Sequence, residues 1–333
     1  MRHAALLLLA AATACVPAAP RESFAIPGHE SAELAQSLGG TLFLDRPVGG
    51  IVRVSLPDHD LTVVRPFGGA GSGDAIYGVS GPDRKGRLVL LQPHVASRWT
   101  MRIDTVLKVV STNGESVLLT RPGDPLWDDT MTHPALSWSG RVAVVSKSRS
   151  DGRRYRLIEH GNVEVWDLDT GAHQEFAVDA AECPPSWFPD GRRIAFAQVT
   201  RDGKSVNYRT LILDTESGTT TPLADGGFPV VSTDGRTVTV KRGREFALLD
   251  VASGASTPIR LPGTVFDPPF AVVDSRYVLY RARPTEGVAP QNEGLFSYGR
   301  AIKLVDVQTG RFATVFADIS NLTDVTGVYA FKP

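Results

Sequence analysis

Few groups of residues in the chain have the types and spacing that catalysis would require. The run Gly68–Gly73 looks like a phosphate-binding loop, but it lacks the Gly-Lys-Ser/Thr ending and no helix pattern follows it. The tripeptide Gly203-Lys204-Ser205 lacks the required earlier glycine, because Gln198 occupies that position. A Gly-x-Ser-x-Gly elbow, the mark of many serine hydrolases, does not occur. We therefore predict no catalytic residue and no cofactor.

Metal-ligating side chains are scattered along the sequence. The seven histidines show no close pairing at the spacing of metal ligands. The segment Asp58–Asp60, with His59 at its centre, and the group Asp128, Asp129 and His133 each combine oxygen and nitrogen donors. Both fall in predicted turns, where Asp and His commonly form local hydrogen bonds, so we predict no metal site.

The first residues predict export. Arg2 precedes an apolar run from Ala4 to Ala12, which is shorter than the roughly 20 residues that a bilayer span needs and is typical of a signal peptide. Ala14 and Cys15 resemble the lipobox of bacterial lipoproteins, in which the cysteine is lipidated. The alternative is plain secretion after cleavage at the same small residues. In either case the protein is exported, and a lipid on Cys15 would be its only contact with a membrane.

Composition describes a turn-rich globular protein. Its 35 Lys and Arg residues nearly balance 36 Asp and Glu residues, which excludes the strong positive charge of a dedicated nucleic-acid binder. The chain has only two cysteines, which cannot form a disulfide framework. If Cys15 carries a lipid, Cys183 is unpaired, and we predict a buried structural thiol there.

A short turn recurs in the second half of the chain. Its pattern is Asp-x-x-Ser/Thr-Gly, and each copy follows one apolar strand pattern and precedes another. The copies are Asp167–Gly171, Asp214–Gly218, Asp250–Gly254 and Asp306–Gly310. Glycine supplies a positive φ at a hairpin corner and the aspartate can bond the local backbone, so we predict four equivalent β-hairpins.

A second turn alternates with the first. It consists of a short strand, a corner, an arginine and an alternating strand, with copies at Leu136–Val145, Ser186–Phe196, Val231–Val240 and Val272–Tyr280. The repeating unit is therefore four strands, named A to D, joined by short A–B and C–D turns. Corner glycines Gly140, Gly191 and Gly235 recur with the period of a β-propeller blade.

The predicted fold is an all-β, six-bladed β-propeller of four-stranded blades. Five complete blades are predicted at about 70–121, 125–178, 179–224, 225–260 and 264–318. Three strands in residues 40–68 and one strand in Val325–Pro333 form the sixth blade, so that the C-terminal strand closes the ring. We assign residues 1–14 to a signal peptide, 15–38 to a tether with a short helix near Ser31–Leu38, and 39–333 to the propeller.

The segment Ser186–Phe196, SWFPDGRRIAF, resembles the blade motif of the TolB-like six-bladed propellers. The resemblance covers about residues 40–333 and weakens in the first two blades. It implies a propeller scaffold and an exported location. Because members of this family include both binding proteins and enzymes, the resemblance does not assign an activity.

Loop length indicates where the propeller would bind a partner. The A–B and C–D turns share one face, which we call the short-turn face. The B–C and D–A connections share the opposite, loop face. The predicted B–C loops at 92–100, 147–156, 199–208 and 281–300 are long and irregular, and variable loops on a rigid scaffold are frequent binding sites. The loop face contains aromatic and arginine residues of the kinds enriched at interfaces: Trp99, Trp127, Arg153, Arg154, Tyr155, Tyr208, Arg242, Arg244, Phe296, Tyr298 and Arg300.

Two hypotheses of function follow. The first is a monomeric, non-catalytic module of the bacterial cell envelope whose loop face binds a protein or a peptide. The second is a receptor or enzyme for a small, carbohydrate-like ligand that uses the central funnel and a divalent ion, with Asp128, Asp129 and Asp267 as candidate ligands. The repeated turn aspartates and the tryptophans Trp138 and Trp187 are assigned to structure, the latter as packing between blades.

Overall fold

A computed structural model shows that the protein is built from β-strands. It describes residues 33, 34, 36–45, 51–56, 58, 60–65, 78–97, 102–111, 116–118, 134–147, 161–202, 205–261, 269–282, 301–317 and 328–330. The described part contains 24 strands. None of the helical residues within it belongs to a segment with the length and apolar character of a membrane span.

The strands group into six four-stranded units along the chain, and the first unit includes the last strand. The first unit contains β1 Gly40–Asp45, β2 Ile51–Leu56, β3 Leu61–Arg65 and β24 Val328–Ala330. The second contains β4 Gly78–Ser80, β5 Leu88–Ser97, β6 Arg102–Val110 and β7 Ser116–Leu118. The third contains β8 Ala135–Leu136, β9 Arg141–Lys147, β10 Gly161–Asp167 and β11 His173–Ala180. The fourth unit contains β12 Ser186–Trp187, β13 Arg193–Asp202, β14 Ser205–Asp214 and β15 Thr220–Asp225. The fifth contains β16 Gly227–Val231, β17 Thr237–Arg242, β18 Glu245–Asp250 and β19 Ser256–Ile259. The sixth contains β20 Ala271–Val273, β21 Tyr277–Ala282, β22 Ala301–Asp306 and β23 Phe312–Ala317.

Pairing is antiparallel within every unit. In five units the strand order follows the chain, whereas the first unit has the order β24-β1-β2-β3. There the C-terminal strand pairs with β1, with Thr41 opposite Ala330 and Phe43 opposite Val328. The third and fourth units are joined into one eight-stranded sheet through a single pair, Ala180 and Gln198.

The hydrophobic core lies between units. Alternate side chains of each strand point to opposite faces of the unit, towards the unit before and the unit after it. Every unit therefore contributes apolar residues to two clusters. Leu91 and Trp166 belong to the cluster between the second and third units, and Phe246 and Tyr280 belong to the cluster between the fifth and sixth. Further clusters join the first unit to the second, the third to the fourth and the fourth to the fifth. A sixth cluster, which includes Leu42 and Leu304, joins the last unit to the first.

The end of the N-terminal segment packs into the cluster between the last and first units. Residues 33, 34 and 36 are helical, as predicted for this region, and Leu34 and Leu38 are buried. Glu33 lies 3.6 Å from the guanidinium of Arg311 in the sixth unit. The segment therefore adds apolar contacts and one ion pair to the junction between the last unit and the first.

The four repeated aspartates have the structural role that the sequence predicts. In each turn Oδ1 of the aspartate accepts a hydrogen bond from the backbone N–H two residues later, as in Asp167 with Asp169 at 2.9 Å. The turn glycines all have φ near +70°. The same hydrogen bonds recur in four units, so these carboxylates are hairpin caps.

Two of these aspartates also bind an arginine of the neighbouring A–B turn. Arg192 contacts Asp214 at 2.6 Å, and Arg276 contacts Asp306 at 2.7 Å through a two-point ion pair. The Arg276 hydrogen bond lowers the pKa of Asp306 to about 2. Asp250 caps its turn through the backbone and Ser253, without an arginine among its hydrogen-bond partners.

Replacement of Asp306 should therefore cost more stability than replacement of Asp250. We expect Asp306→Ala to lower the free energy of unfolding by roughly 2–3 kcal/mol, because it removes a turn cap and also breaks a charged pair, and Asp250→Ala to lower it by less, because only the cap is lost. The pKa of Asp306 is lower in the folded protein, so its contribution is complete above the unfolded-state value of about 4 and is lost as the pH falls through about 2. Urea unfolding measures the free energy of unfolding of both variants over this pH range, and we expect the two values to converge at low pH. A difference between them that does not change with pH would contradict the ion-pair explanation.

Three expectations about local structure are wrong. The segment 199–208 is not an irregular loop, because β13 and β14 continue as a hairpin in which Val199 pairs with Tyr208 and Asp202 with Ser205. Residues 92–97 likewise continue β5, despite Pro93. Trp187 packs between units and donates to the carbonyl of Ala135, as expected. Trp138, in contrast, is 42% exposed.

Candidate binding site

Three of the predicted binding residues lie in the described part of the chain, at the loop-face end of the fourth and fifth units. Tyr208 is on β14, while Arg242 ends β17 and Arg244 lies in the tight turn to β18. Arg242 and Arg244 are exposed, and Tyr208 is half-buried. The other predicted residues of this face lie outside the described residues, as do Cys15, Asp128, Asp129 and Asp267: they are Trp99, Trp127, Arg153, Arg154, Tyr155, Phe296, Tyr298 and Arg300.

The connection from β15 to β16 brings Tyr208 and Arg242 together. The backbone N–H of Gly226 donates to the carbonyl of Tyr208 at 2.7 Å, and Nε of Arg242 donates to the carbonyl of Asp225 at 2.9 Å. A Cβ atom on Gly227 would lie 3.0 Å from the Tyr208 side chain. The close approach of strand and connection thus depends on glycine at this point.

Phe228 follows these glycines with an unusual backbone conformation. Its φ is +55°, in the left-handed region that a bulky L-residue seldom occupies. The ring is half-buried and meets the Tyr208 ring edge-on, with centroids 6.2 Å apart. A strained residue is retained only where its surroundings fix it, and such residues cluster at functional sites.

Cys183 lies beneath this aromatic pair and is the buried thiol that the sequence predicts. It is fully buried with Ala181 and Ala197, and Tyr208 and Phe228 pack against this group. Burial raises the pKa of its thiol to about 11. The thiol is therefore protonated at neutral pH and supports the aromatic pair by packing.

A lysine lies over one ring of the aromatic pair. Nζ of Lys241 lies 5.6 Å from the Phe228 ring centroid and 5.8 Å from that of Phe246. We call Tyr208, Phe228, Lys241, Arg242 and Arg244 the aromatic–basic patch. It combines two rings and three cations on a rigid strand framework, which is the chemistry of an interface that binds aromatic or carboxylate groups.

Sequence reasoning misses Phe228 and Lys241. By its pattern Phe228 fits the beginning of an ordinary A strand, although the run Gly226-Gly227-Phe228-Pro229 is a signal of special backbone geometry. Lys241 is one of several lysines in strand patterns. Only the fold shows that it lies between two aromatic rings.

A second group of titratable residues lies in the third unit. The buried carboxylate of Glu164 accepts a hydrogen bond from Ser146 and contacts Nε2 of His173 at 3.0 Å, and the His173 ring stacks on Trp166. Burial raises the pKa of Glu164. In the described ranges of the chain, no three Asp, Glu, His or Cys side chains converge in a way that would hold a metal ion.

Comparison with known proteins establishes the fold. No protein-family model matches the sequence, and a search of curated proteins found no match. Among solved structures, TolB from Acinetobacter baumannii has 16% identity and a TM-score of 0.58, over 92% of this chain and 68% of that one. An oligogalacturonate lyase in complex with manganese has 14% identity and a TM-score of 0.51, over 84% of this chain and 74% of that one. At these identities the likeness concerns the fold alone, and the protein has the all-β fold of the β-propellers.

Proposed function

We propose that the protein is an exported, lipid-anchored, monomeric β-propeller of six blades that binds an envelope protein or peptide without catalysis. The signal peptide and Cys15 supply export and the anchor. The loop face supplies the binding surface, and the aromatic–basic patch is its part in the fourth and fifth units. The strained backbone of Phe228 beside Tyr208 is the observation on which this assignment rests.

Two features support a closed ring of six blades. β24 pairs with β1, so the last strand completes the first unit. The cluster containing Leu42, Leu304 and Leu34 packs the last unit against the first. A ring that closes in this way leaves only short sheet edges and holds loops from different blades at fixed distances.

The composition of the patch supports binding of a protein or peptide. Aromatic and arginine side chains contribute most of the energy at many protein interfaces. The rings of Tyr208 and Phe228 are only half-buried, Lys241 lies over the Phe228 ring, and the exposed Arg242 and Arg244 lie in or beside the β17–β18 turn at the same end of the fifth unit. Gly226 and the β13–β14 hairpin fix these groups before a partner arrives, which reduces the entropy lost on binding.

Site-specific photocrosslinking in intact cells tests this proposal. A photoreactive amino acid at Arg244 should crosslink a defined envelope protein. The same amino acid at Ala252, an exposed turn residue at the opposite end of the fifth unit, should not. Arg244→Glu, as a variant, should weaken capture of that protein by roughly tenfold, as expected for a residue at an interface hot spot.

A second variant separates binding from folding. Phe228→Gly removes the ring but suits the left-handed backbone, so its stability should stay within about 1 kcal/mol of the parent protein while capture is lost. Equal crosslinking from Arg244 and Ala252, or full capture by both variants, would overturn the assignment of the loop face. If the purified domain instead binds a stoichiometric metal ion, the proposal of a non-catalytic module is replaced by that of a small-ligand protein.

A further inference from the structure

A cleft lies between the third and fourth units at the short-turn face. It has a volume of about 360 Å³, and Val165 and Ala172 form the apolar part of its lining. The other lining residues are polar or charged, namely Arg141, Asp167, Gln174, Thr215 and Glu216. The lining thus combines one guanidinium group with two carboxylates.

One of these carboxylates, Asp167, lacks the arginine that binds its equivalents in two other units. In the fourth and sixth units the carbonyl of the paired arginine, Arg192 or Arg276, also accepts a hydrogen bond from the residue that follows the cap aspartate. In the third unit the carbonyl of Gly140 accepts the equivalent bond from Leu168 at 3.0 Å. Glycine therefore stands where the arginine stands in the other two units, and it has no side chain that could bind the carboxylate.

Arg141 lies directly opposite Asp167 on the neighbouring strand, but its guanidinium is bound elsewhere. Nη1 donates to the carbonyl of Gly191 at 3.0 Å and to Thr215 at 2.9 Å, and Nη2 donates to Gln174 at 3.3 Å. These three bonds fix the guanidinium against the fourth unit. They use three of its five N–H donors, so two donors remain for a ligand.

The second carboxylate of the lining, that of Glu216, already has a cation. It binds Nη1 of Arg192 at 2.7 Å. Within the described ranges of the chain, neither Asp167 nor Arg141 forms an ion pair. The cleft therefore presents one negative and one positive group that are close together but not paired with each other. Such a pair of groups is complementary to a small ligand that carries both an ammonium group and a carboxylate.

We infer that this cleft binds a free amino acid with a small side chain. The carboxylate of the ligand accepts hydrogen bonds from Arg141, its ammonium group donates to Asp167, and its side chain contacts Val165 and Ala172. A ligand with both charges satisfies the two unpaired groups at once, whereas a carboxylate or an amine alone leaves one of them without a partner. The site lies at the opposite end of the strands from the loop face, so it does not depend on the proposed function.

Calorimetric titration of the full-length protein tests the inference. The probes are glycine, L-alanine and L-valine. The matched controls are N-acetyl-L-alanine, which lacks the ammonium group, and L-alaninamide, which lacks the carboxylate. We expect saturable binding of at least one probe and roughly tenfold weaker binding of both controls, because each control loses one charged contact. Binding of glucose instead of the probes would assign the cleft to neutral polyols and overturn the inference.

A matched pair of variants separates contact with the ligand from support of the turn. Asp167→Asn removes the negative charge but keeps a side-chain oxygen that can accept the backbone hydrogen bonds of the turn. Asp250→Asn makes the same change in the fifth unit, outside the cleft. The first variant should bind the amino acid roughly tenfold more weakly, and the second should bind it like the parent protein. Absence of saturable binding of all probes at millimolar concentration, equal binding of a probe and either control, or unchanged binding by Asp167→Asn would each overturn the inference.

Discussion

Deletion of residues 325–333 is expected to destabilise the whole domain. It removes β24, which pairs with Thr41, Leu42 and Phe43 of β1, and leaves that strand as an open edge next to the cluster that joins the last unit to the first. We expect the melting temperature to fall by roughly 10 °C or more, which corresponds to a loss of several kcal/mol in a domain of this size. The exposed edge should also promote association between molecules. Circular dichroism and size-exclusion chromatography measure both effects.

A disulfide across the same pair of strands provides the opposite test. Thr41 and Ala330 are directly paired, so cysteines at these positions in a Cys15→Ser background should form a crosslink between the two ends. The oxidised protein should be more stable than its own reduced form by up to about 4–5 kcal/mol, because the closed loop is long. A deletion without effect, together with equal stability of the oxidised and reduced forms, would contradict closure of the ring by β24.

Substitution of Gly226 is expected to have the second large effect. Its φ is +121°, and a Cβ atom would lie 2.9 Å from the carbonyl oxygen of Lys241 and 3.1 Å from Cβ of Val240. Both contacts are with the framework of β17, which cannot move away as a flexible side chain can. We expect Gly226→Ala to cost about 3 kcal/mol or more and to displace Tyr208 and Phe228 from each other. Urea unfolding measures the cost, and capture of the loop-face partner measures the displacement.

Gly254→Ala is the matched control for this prediction. Gly254 also has a positive φ, +70°, but a Cβ atom added at this position in the C–D turn would meet no other atom within 4 Å. Its cost should be limited to the backbone term of roughly 1–2 kcal/mol. If both variants lose the same stability, the steric contact with β17 has no energetic importance and the site does not depend on Gly226.

The parts of the fold that sequence could predict are those determined by neighbouring residues. The turns at Asp167, Asp214, Asp250 and Asp306 are local, because the capping aspartate and the glycine lie within five residues of each other. Hydrophobic alternation predicts the strands, and burial of Cys183 is the usual environment of an unpaired thiol. These features require no knowledge of how distant units meet.

The site required information from distant parts of the chain. The charge and polarity of Val199–Tyr208 favour a loop, although Asp202-Gly203 is a hairpin signal that agrees with the observed pairing. Trp138 is 42% exposed, although the turn of the second unit approaches it and the N–H of Arg84 donates to its carbonyl. Phe228 follows Gly226 and Gly227, which lie against β17 and against Tyr208 of β14. These contacts join residues that are distant in the sequence, so no local pattern contains them.

The contacts between the turns of neighbouring units have a consequence for how these units can change during evolution. At one junction Asp169 receives Arg84 and Lys85, and at the next Arg141 bonds to Gly191 and Thr215. These two junctions therefore have different partners, although one contact recurs in the molecule, because Ser80 and Ser186 each accept a hydrogen bond from a backbone N–H of the next unit. A unit moved to another position would keep at most such a recurrent bond and would lose the ion pairs and arginine bonds that are specific to its own neighbour. Exchange of whole units should therefore disturb the protein more than change in the connections at the ends of the strands.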